Sequence, residues 1–505
     1  DDNDRVKYID GFGYRMCASP AMFRLFEQKF GYCITLEDLV DEGYYNNHFR
    51  VPRKAFLDYM ELLEGFVAQC VRHFTDIVHS YKKEAMMFVG DNWIGAEIYG
   101  KHFAQMGLDA VVGSINSGAT LRMVSDVTGV KYREVRLLPY FFPDTLREDA
   151  QCSKELLDSW VIERRALLRR PVERIGFGGY LSLADKFPSF TRAVAELCEE
   201  FRSIYEKIGG QQVYSQARVA VLNAWGQKRT WMPYMVLQDA CYQHTTFYLG
   251  FLESLAGMDI DVEFISFDDV RKGNLAQYDV VINGGDADTA FSGGGAWLDA
   301  EVQEKVRSFV NEGGGFIGIG EPTAVLANGR FFQLADVLGV DEEKSLSMSR
   351  YKYNRDVCRE HFILSDCEAA VDYNGGVQNV YALEGAAVLD KRTEDRLGVD
   401  IGAFHVKLAV NTYGKGRAVY LAGFKHNAQN TRMLLRALLW AAGKENELRR
   451  AFSQNPVTEC SYYPECGLYA LVNNSAERVE TVFCDINGKK SCISLQPYEL
   501  KWIQA

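Results

Sequence analysis

The sequence predicts an α/β protein in which part of a (β/α)8 barrel is followed by a doubly wound α/β domain and a small β domain. Three observations predict this arrangement. Helical segments alternate with short β-rich runs from residue 1 to about 190, which is typical of βα units around a parallel sheet. A new buried strand opens after the glycines at 209–210, and the tail alternates in the manner of short antiparallel strands. The predicted domains are therefore residues 1–210, 211–447 and 448–505.

Four β-rich runs in the first domain are predicted to be barrel strands. They are Met86–Gly90, Ala110–Ile115, Glu134–Leu138 and Arg174–Tyr180, with a further candidate at Gly11–Ala18. The longest helix is predicted from Arg53 to Lys83, because its apolar residues recur at a spacing of three to four. A closed barrel of this type needs eight strands. We therefore expect the chain to begin part-way through the barrel, as a fragment, a nicked protein or an incomplete gene model would.

The second domain is predicted to begin with the buried strand Ala217–Gly226. Its later strands are predicted at Asp261–Phe267, Asp279–Gly285, Gly314–Glu321 and Gly416–Phe424. A helix from Thr431 to Ala442 is expected to close it. In the tail, the pair Asn487-Gly488 between two alternating runs is typical of a type I′ hairpin.

Composition and charge exclude several classes of protein. The chain carries a formal net charge of -12, and its basic residues are dispersed among acids, which argues against a nucleic-acid partner. It has no run of about 18 apolar residues and no signal peptide in its first residues, so we expect a cytoplasmic protein without a membrane partner. The 12 cysteines include no CxxC pair of the kind that holds zinc. A neutral or small anionic ligand fits this composition.

A polar cluster follows the first barrel strand. Asp91, Asn92 and Trp93 come directly after the hydrophobic run that ends at Gly90. Active sites of barrels lie at the carboxyl ends of the strands, so Asp91 is expected to face the pocket. A carboxyl group beside an aromatic wall is partly desolvated and keeps its proton more readily, as a general acid requires. The alternative is that Asp91 only caps the helix that follows.

The third strand carries a second candidate cluster. Arg136 lies in the strand, and Tyr140, Phe141 and Phe142 follow in a loop between two prolines. Aromatic side chains suit the apolar faces of sugars, and an arginine can donate two parallel hydrogen bonds to hydroxyl or phosphate oxygens. Core packing with a surface salt bridge is the alternative. Neither cluster alone identifies an enzyme.

Together, these segments resemble a known family. The stretches VGDNWIGAEIYG, VKYREVRLLPYFFPDTL and RIGFGGYLSLADKFPSF are similar to the second half of the barrel in the lacto-N-biose/galacto-N-biose phosphorylases. The stretches VAVLNAWG, VVINGGDADTAFSGG and YGKGRAVYLAG resemble that family's amidotransferase-like domain. By this resemblance, Asp91 is the catalytic acid. The residues that match the family's sugar site are Arg136, Tyr140 and Phe142, and Tyr14 matches a position on the acceptor side.

The resemblance implies an inverting phosphorolysis of β-1,3-galactosyl-N-acetylhexosamine disaccharides, such as lacto-N-biose and galacto-N-biose. The implied products are α-D-galactose 1-phosphate and a free N-acetylhexosamine. Phosphate is already an anionic nucleophile, so one carboxylic acid suffices where an inverting hydrolase needs two carboxylates. The resemblance therefore implies inorganic phosphate as co-substrate, with no metal and no organic cofactor. It also implies a homodimer as a candidate assembly.

Three rival functions are left open. The nearest is phosphorolysis of D-galactosyl-β-1,4-L-rhamnose, because a few acceptor-side residues separate the two activities. A β-galactoside hydrolase needs a second carboxylate near Asp91, for which Glu97 and Asp109 are the candidates. A catalytically inactive carbohydrate-binding protein would bind sugar without turnover.

Two further motifs have competing interpretations. Amidotransferases need a cysteine at the sharp turn after a strand, and here Gly320 and Glu321 occupy that turn, which predicts an inactive, structural version. Trp225, Arg229 and Trp231 form a cluster with two candidate roles, a contact with the barrel or a contact with another subunit.

Overall fold

The computed structural model describes most of the chain. The described residues are 19–35, 38, 51–89, 102–229, 231, 246–344, 356–396 and 399–505. The strand candidate Gly11–Ala18 therefore lies outside them. No helix in the described part is long and apolar enough to cross a lipid bilayer.

The N-terminal domain alternates helices with strands. Its helices are α1 (Pro20–Phe30), α2 (Lys54–Ser80), α3 (Gly118–Ser125), α4 (Cys152–Arg169), α5 (Leu181–Ala184) and α6 (Pro188–Ile208). Its strands are β1 (Met86–Val89), β2 (Ala110–Ser114), β3 (Tyr132–Phe141) and β4 (Arg174–Gly179). The four predicted strands and the predicted long helix are thus confirmed.

These strands form a parallel sheet in the order β1-β2-β3-β4. Neighbours in the chain are also neighbours in the sheet, as with Met86 opposite Ala110. This order is that of a barrel, in which each helix crosses outside the sheet to the next strand. β3 continues past its predicted end at Leu138, although its pairing with β4 becomes irregular before Phe141. The irregularity includes Pro139, which has no N–H to donate to the ladder.

The central domain contains the longest run of elements. Its helices are α7 (Thr246–Gly257), α8 (Phe267–Arg271), α9 (Ala300–Asn311), α10 (Ala335–Leu338) and α11 (Ala428–Ala441). Its strands are β5 (Ala217–Leu222), β6 (Ile260–Ile265), β7 (Val280–Gly285), β8 (Gly315–Gly320), β9 (Ala324–Ala327), β10 (Arg330–Phe332), β11 (Val340–Glu342), β12 (Val380–Ala382), β13 (Ala387–Arg396), β14 (Val399–Tyr413) and β15 (Gly416–Leu421).

The central sheet is doubly wound. Its strand order is β13-β14-β15-β8-β7-β5-β6. The parallel strands β5, β6, β7, β8 and β15 follow the order 2-1-3-4-5, which places the first strand between the second and the third. Every residue of β7 and β8 is buried, as expected for parallel strands covered on both faces.

The first strand of this domain is shorter than predicted. β5 ends before the predicted Gly226. The side-chain oxygen of Asn223 accepts hydrogen bonds from the backbone N–H groups of Trp225 and Gly226, at 2.8 and 2.6 Å. These bonds turn the chain directly after the strand, as Asn side chains commonly do.

The C-terminal domain consists of two small antiparallel sheets. Its strands are β16 (Phe452–Ser453), β17 (Thr458–Tyr463), β18 (Leu468–Asn473), β19 (Val479–Cys484), β20 (Lys490–Leu495) and β21 (Leu500–Gln504). The sheets have the orders β16-β19-β20 and β17-β18-β21. A buried cluster that includes Tyr469, Leu471 and Phe483 packs between them.

The predicted hairpin is present between β19 and β20, but its predicted turn type is wrong. Of the pair Asn487-Gly488, only Gly488 has a positive φ, 83°, whereas a type I′ turn needs both. The Asp485 carboxylate accepts hydrogen bonds from the backbone N–H groups of Asn487 and Lys489, at 2.9 Å each. This side chain stabilises a longer loop than the two-residue turn.

Helix α4 joins the three domains. Arg165 donates two hydrogen bonds of 2.7 Å to Glu459 on β17, and its Nη1 donates to His426 Nε2 at 3.4 Å. Since arginine can only donate, His426 Nε2 is the acceptor and Nδ1 carries the proton, which it donates to Ser254 Oγ at 2.9 Å. Burial, together with the charge of Arg165, lowers the pKa of His426 to about 3. The imidazole is therefore neutral.

The tryptophan cluster after β5 also contacts the N-terminal domain. The Trp225 ring centroid lies 5.9 Å from that of Phe56 on α2. Trp231 Nε1 donates to an oxygen of Asp126 at 2.6 Å. Of the two candidate roles, the structure supports the contact with the barrel. The side chain of Arg229 lies outside the described part.

Candidate active site

The candidate site lies on one face of the N-terminal sheet. Along β3, Val135, Leu137 and Phe141 are buried in the core, and the alternate positions are partly exposed. Because successive side chains of a strand point to opposite sides, Arg136 and Tyr140 share the second face. We call it the inner face, since it corresponds to the interior of a barrel. Active sites of barrels lie at the carboxyl end of this face.

Arg136 is held at the inner face by two neighbours. Its Nε lies 3.0 Å from Glu134 Oε1, and its Nη1 donates to the carbonyl oxygen of Phe177 on β4 at 2.9 Å. The Arg136 side chain is still 27% exposed, and its Nη2 has no hydrogen-bond acceptor among the described residues. A positioned guanidinium with a spare N–H group suits a phosphate or a sugar hydroxyl.

Two glycines of β4 leave room for these side chains. A Cβ atom at Gly176 would lie 3.1 Å from Glu134 Oε1 and 3.5 Å from Arg136 Cδ. A Cβ atom at Gly178 would lie 3.6 Å from Tyr140 Cδ1. Glycine in the interior of a strand often marks such a close approach. A larger residue at Gly176 would press on the ion pair of Glu134 and Arg136.

Aromatic rings extend the site beyond the strand ends. The ring centroids of Phe142 and Tyr180 lie 5.4 Å apart at an interplanar angle of 90°, and the Tyr140 ring lies 6.5 Å from that of Phe142. Phe142 and Tyr180 are 39% and 59% exposed. Exposed rings with edge-to-face contacts offer platforms for the apolar face of a sugar.

Glu134, Tyr180 and the two glycines are not among the site residues predicted from the sequence. The sequence nevertheless contains a signal for each of these residues. Glu134 precedes Arg136 by two residues, so a strand places both on one face. Gly176 and Gly178 alternate in the predicted strand, and Tyr180 follows directly at its carboxyl end.

Two predicted site residues, Asp91 and Tyr14, lie outside the described residues, as does Glu97. The strand that leads to Asp91 is described. β1 ends at Val89 and runs parallel to β2, which runs parallel to β3. The carboxyl ends of β1 and β3 therefore lie at the same edge of the sheet.

Asp109, a candidate second carboxylate, lies at the opposite edge. It immediately precedes β2, and its Oδ2 accepts a hydrogen bond from the Ala85 backbone N–H at 2.7 Å and lies 2.7 Å from His79 Nε2. These contacts with His79 and Ala85 lower the pKa of Asp109. Asp109 is thus remote from the carboxyl end of the inner face, where a hydrolase would need its second carboxylate.

One group in the described part has the composition of a metal site. Ligand atoms of Glu61, Glu64 and His102 lie within 4.8 Å of one another. His102 Nε2 lies 2.9 Å from Glu61 Oε1, and Lys29 Nζ lies 3.9 Å from the same oxygen. These contacts give Glu61 cationic and hydrogen-bonding partners from the protein itself.

Family comparisons match nearly the whole chain in three consecutive parts. The N-terminal TIM barrel domain of lacto-N-biose phosphorylase matches residues 1–216. The central domain of lacto-N-biose phosphorylase matches residues 218–446, and its C-terminal domain matches residues 452–503. The chain belongs to the lacto-N-biose phosphorylase family. The four-stranded parallel sheet is accordingly part of a TIM-barrel domain.

Relatives of this family member confirm the resemblance predicted from its sequence. A 1,3-β-galactosyl-N-acetylhexosamine phosphorylase of Lachnoclostridium phytofermentans is 46% identical over 99% of this chain and 68% of its own length. The phosphorylase of that name from Bifidobacterium longum subsp. longum is 42% identical over 100% of this chain and 70% of its own length. A D-galactosyl-β-1→4-L-rhamnose phosphorylase of L. phytofermentans is more distant, 34% identical over 94% of this chain and 64% of its own length.

Among solved structures, a β-galactosidase from Rahnella sp. R3 has the same fold. It aligns with 98% of this phosphorylase-family chain and 77% of its own, with a TM-score of 0.54 and 16% identity. A fold supports many activities, so this similarity carries no argument about the reaction.

Proposed function

We propose that the protein catalyses the inverting phosphorolysis of β-1,3-galactosyl-N-acetylhexosamine disaccharides, such as lacto-N-biose and galacto-N-biose. The products are α-D-galactose 1-phosphate and N-acetylhexosamine. The observation that carries the proposal is the 46% identity, over 99% of the chain, to a phosphorylase of that specificity. The arginine and aromatic side chains at the inner face support it.

The reaction needs one proton donor and one nucleophile. Asp91 protonates the glycosidic oxygen, so that the bond from this oxygen to the anomeric carbon breaks and the N-acetylhexosamine leaves neutral. A phosphate oxygen forms the new bond on the opposite face of the same carbon, which inverts its configuration. Because phosphate arrives as an anion, no general base, metal or organic cofactor is required.

The inner face supplies the binding groups. Arg136 Nη2 donates to a phosphate or hydroxyl oxygen, while Glu134 and the Phe177 carbonyl fix the guanidinium. Tyr140 and Phe142 contact the apolar face of the galactosyl ring. Tyr14 contributes on the acceptor side.

The second candidate function is phosphorolysis of D-galactosyl-β-1,4-L-rhamnose. The 34% identity to a phosphorylase of that name favours it over unrelated activities, and the 46% identity favours the N-acetylhexosamine substrates over it. A carbohydrate-binding protein without turnover is the third candidate. Phosphate release with different acceptor sugars distinguishes the three.

Further parts of the proposal concern the architecture. We infer an amidotransferase-like central domain without catalysis, a cytoplasmic location and a homodimer. The turn after β8 supports the inference that the central domain is not catalytic. There the Glu321 carboxylate accepts a hydrogen bond from the Ala287 N–H at 2.7 Å and lies 2.9 Å from Lys344 Nζ. Its charge is therefore already paired within the protein.

The decisive test runs the reaction towards synthesis. The protein is incubated with α-D-galactose 1-phosphate and N-acetylglucosamine, N-acetylgalactosamine or L-rhamnose, and phosphate release is followed. The Asp91→Asn variant keeps the size of the side chain and removes the proton. The control is Asp149→Asn, at a side chain that is 77% exposed.

We expect release with an N-acetylhexosamine, unchanged in Asp149→Asn and lowered at least about 1000-fold in Asp91→Asn, which is about 4 kcal/mol in the barrier. Release with L-rhamnose alone would establish the second candidate. Sugar binding by a folded protein without release from any acceptor would contradict both phosphorylase activities for this chain.

A further inference from the structure

A groove runs between the central and the C-terminal domains. One wall is the beginning of helix α11 with the segment 365–368, and the other is the loop between β16 and β17 with strand β19. None of the described residues that line it belongs to the N-terminal domain. Its volume is about 820 Å³. Sites for small molecules have volumes of roughly 300 to 1000 Å³ and are common at domain interfaces, so the groove has room for a disaccharide.

Hydrogen bonds join the two walls of the groove. Arg432 on α11, 6% exposed, donates to the carbonyl oxygens of Ser453 and Gln454 in the C-terminal domain, at 2.8 and 3.1 Å. On the central-domain wall, Gln429 Oε1 accepts from the backbone N–H groups of residues 368 and 369, at 3.1 and 2.9 Å. The groove is therefore already formed in the free protein, which lowers the entropy that a ligand loses on binding.

The lining offers both apolar and hydrogen-bonding surface. Pro456, Val457 and Val482 are partly exposed where they line the groove. The side chains of Glu368 and Glu480 are exposed, and neither has an ion pair among the described residues. A sugar ring has apolar C–H faces and a rim of hydroxyl groups, and a carboxylate accepts hydrogen bonds from such hydroxyl groups. This combination of side chains suits a sugar ring.

The donors and the charge of the lining narrow the class of ligand. The side-chain amide nitrogens of Asn427 and Gln454 have no acceptor among the described residues, so both can donate to a hydroxyl oxygen. No lysine or arginine is among the described lining residues. An anion would therefore meet the carboxylates of Glu368 and Glu480 without a cation beside it. A neutral ligand with several hydroxyl groups is favoured.

We propose that this groove binds a neutral saccharide of about two rings, at a site separate from the one proposed for phosphorolysis. The apolar face of the saccharide packs on Pro456 and Val457, and its hydroxyl groups donate to Glu368 and Glu480. Cys492 on β20 also lines the groove and is exposed, so the reactivity of its thiol reports whether the groove is occupied. Occupancy of this site requires no turnover at the inner face.

The test follows the rate at which iodoacetamide alkylates Cys492 in the full chain, measured by mass spectrometry of the peptide that contains it. Lacto-N-biose, galacto-N-biose and lactose are the neutral probes, each in a concentration series. The buffer is free of phosphate, so that the proposed reaction cannot consume them. α-D-Galactose 1-phosphate is the anionic probe. The internal control is Cys358, which is exposed in the central domain and does not line the groove.

A double variant, Glu368→Ala with Glu480→Ala, removes the two acceptors. Its matched control, Glu304→Ala with Glu465→Ala, removes two exposed carboxylates that do not line the groove, so the net charge changes equally. We expect a neutral disaccharide to slow alkylation of Cys492 several-fold and to leave Cys358 unaffected. The apparent Kd from this protection should rise at least about 10-fold in the double variant and stay unchanged in the control.

Three results would overturn the proposal. The first is alkylation of Cys492 that no neutral probe slows, in a chain whose unfolding curve proves it folded. The second is an equal Kd in the double variant and its control. The third is protection by α-D-galactose 1-phosphate alone, which would assign the groove to an anion. Because the readout is local to Cys492, failure here is distinct from failure of the proposed phosphorolysis, which is measured by phosphate release.

Discussion

Arginines occupy two contrasting regions of the molecule. At the inner face, Arg136 is 27% exposed and keeps an N–H group without a partner among the described residues. On α4, the Arg165 side chain is 6% exposed, and it donates to Glu459 from one domain and to His426 from another. The first guanidinium is positioned by its neighbours but left open to a ligand. Each nitrogen of the second guanidinium donates to a partner within the protein.

The pKa of Glu459 shows the effect of its contact with Arg165. Burial alone would raise the pKa of this carboxyl group, but the charge and hydrogen bonds of Arg165 lower it below its usual value. The pair therefore stays ionised where the three domains meet. A buried pair of this kind is sensitive to the loss of one partner, whereas an exposed pair is worth little. The two regions thus contrast an arginine paired within the protein with an arginine that has an N–H group open to a ligand.

The largest effect is expected at α4. Arg165→Met leaves the Glu459 carboxylate, whose side chain is 21% exposed, without its main partner, so the free energy of unfolding should fall by about 3 kcal/mol, the lower end for a buried pair. Urea unfolding measures this. In the matched control, Arg202→Met, the pair with Glu199 is exposed, so the midpoint of urea unfolding should stay nearly unchanged.

A double variant sharpens this prediction. Arg165→Met with Glu459→Met removes both charges and should be more stable than Arg165→Met alone. If the double variant is less stable than either single variant, the unpaired charge is not the cause of the loss.

An intermediate effect is expected at the inner face, and on binding rather than stability. Arg136→Ala removes charge-assisted hydrogen bonds to the ligand, so the Kd for α-D-galactose 1-phosphate should rise roughly 30-fold, about 2 kcal/mol. Titration calorimetry measures this. Unfolding should change by less than about 1 kcal/mol, because Arg136 is partly exposed.

The control for this prediction lies on the same strand. Arg133 faces away from Arg136 along β3 and donates to Glu173 and to the Ser125 carbonyl oxygen. Arg133→Lys should lower stability and leave the Kd unchanged. Equal losses of binding in both variants would mean that the strand, and not the guanidinium of Arg136, determines affinity.

The last effect is a gradual dependence on pH, expected at Glu163, a carboxyl group on α4 whose two oxygens are buried without hydrogen-bond partners among the described residues. Burial, and the nearby Glu253, raise its pKa well above the usual value. The folded state therefore binds this proton more tightly than the unfolded chain. Through this group, stability should fall as pH rises from about 4.5 towards the raised pKa, by up to about 1.4 kcal/mol per pH unit.

Glu163→Gln removes the titration and should flatten the dependence of unfolding free energy on pH above about 4.5. Thermal or urea unfolding at a series of pH values measures the slope. An unchanged slope would mean that another group accounts for the pH dependence.

Several features were predictable because their signals are local. Buried β-rich runs predicted β1 to β4, and the same pattern predicted that Arg136 lies within β3. The turn type predicted at Asn487-Gly488 was wrong because a neighbouring side chain, Asp485, accepts hydrogen bonds from the backbone N–H groups of the loop. The strand from Ala217 was predicted too long because Asn223 turns the chain in the same way.

The sequence by itself determined the α/β class, the family and the residue types of the inner face, since periodicity and motifs are properties of neighbouring residues. Only the tertiary structure decided that Asp109 lies at the opposite edge from Arg136, that Gly176 makes room for its ion pair, and that α4 joins three domains through Arg165. The reason is physical. Each of these contacts joins residues distant in the chain, and no local pattern specifies which of the many charged side chains will meet.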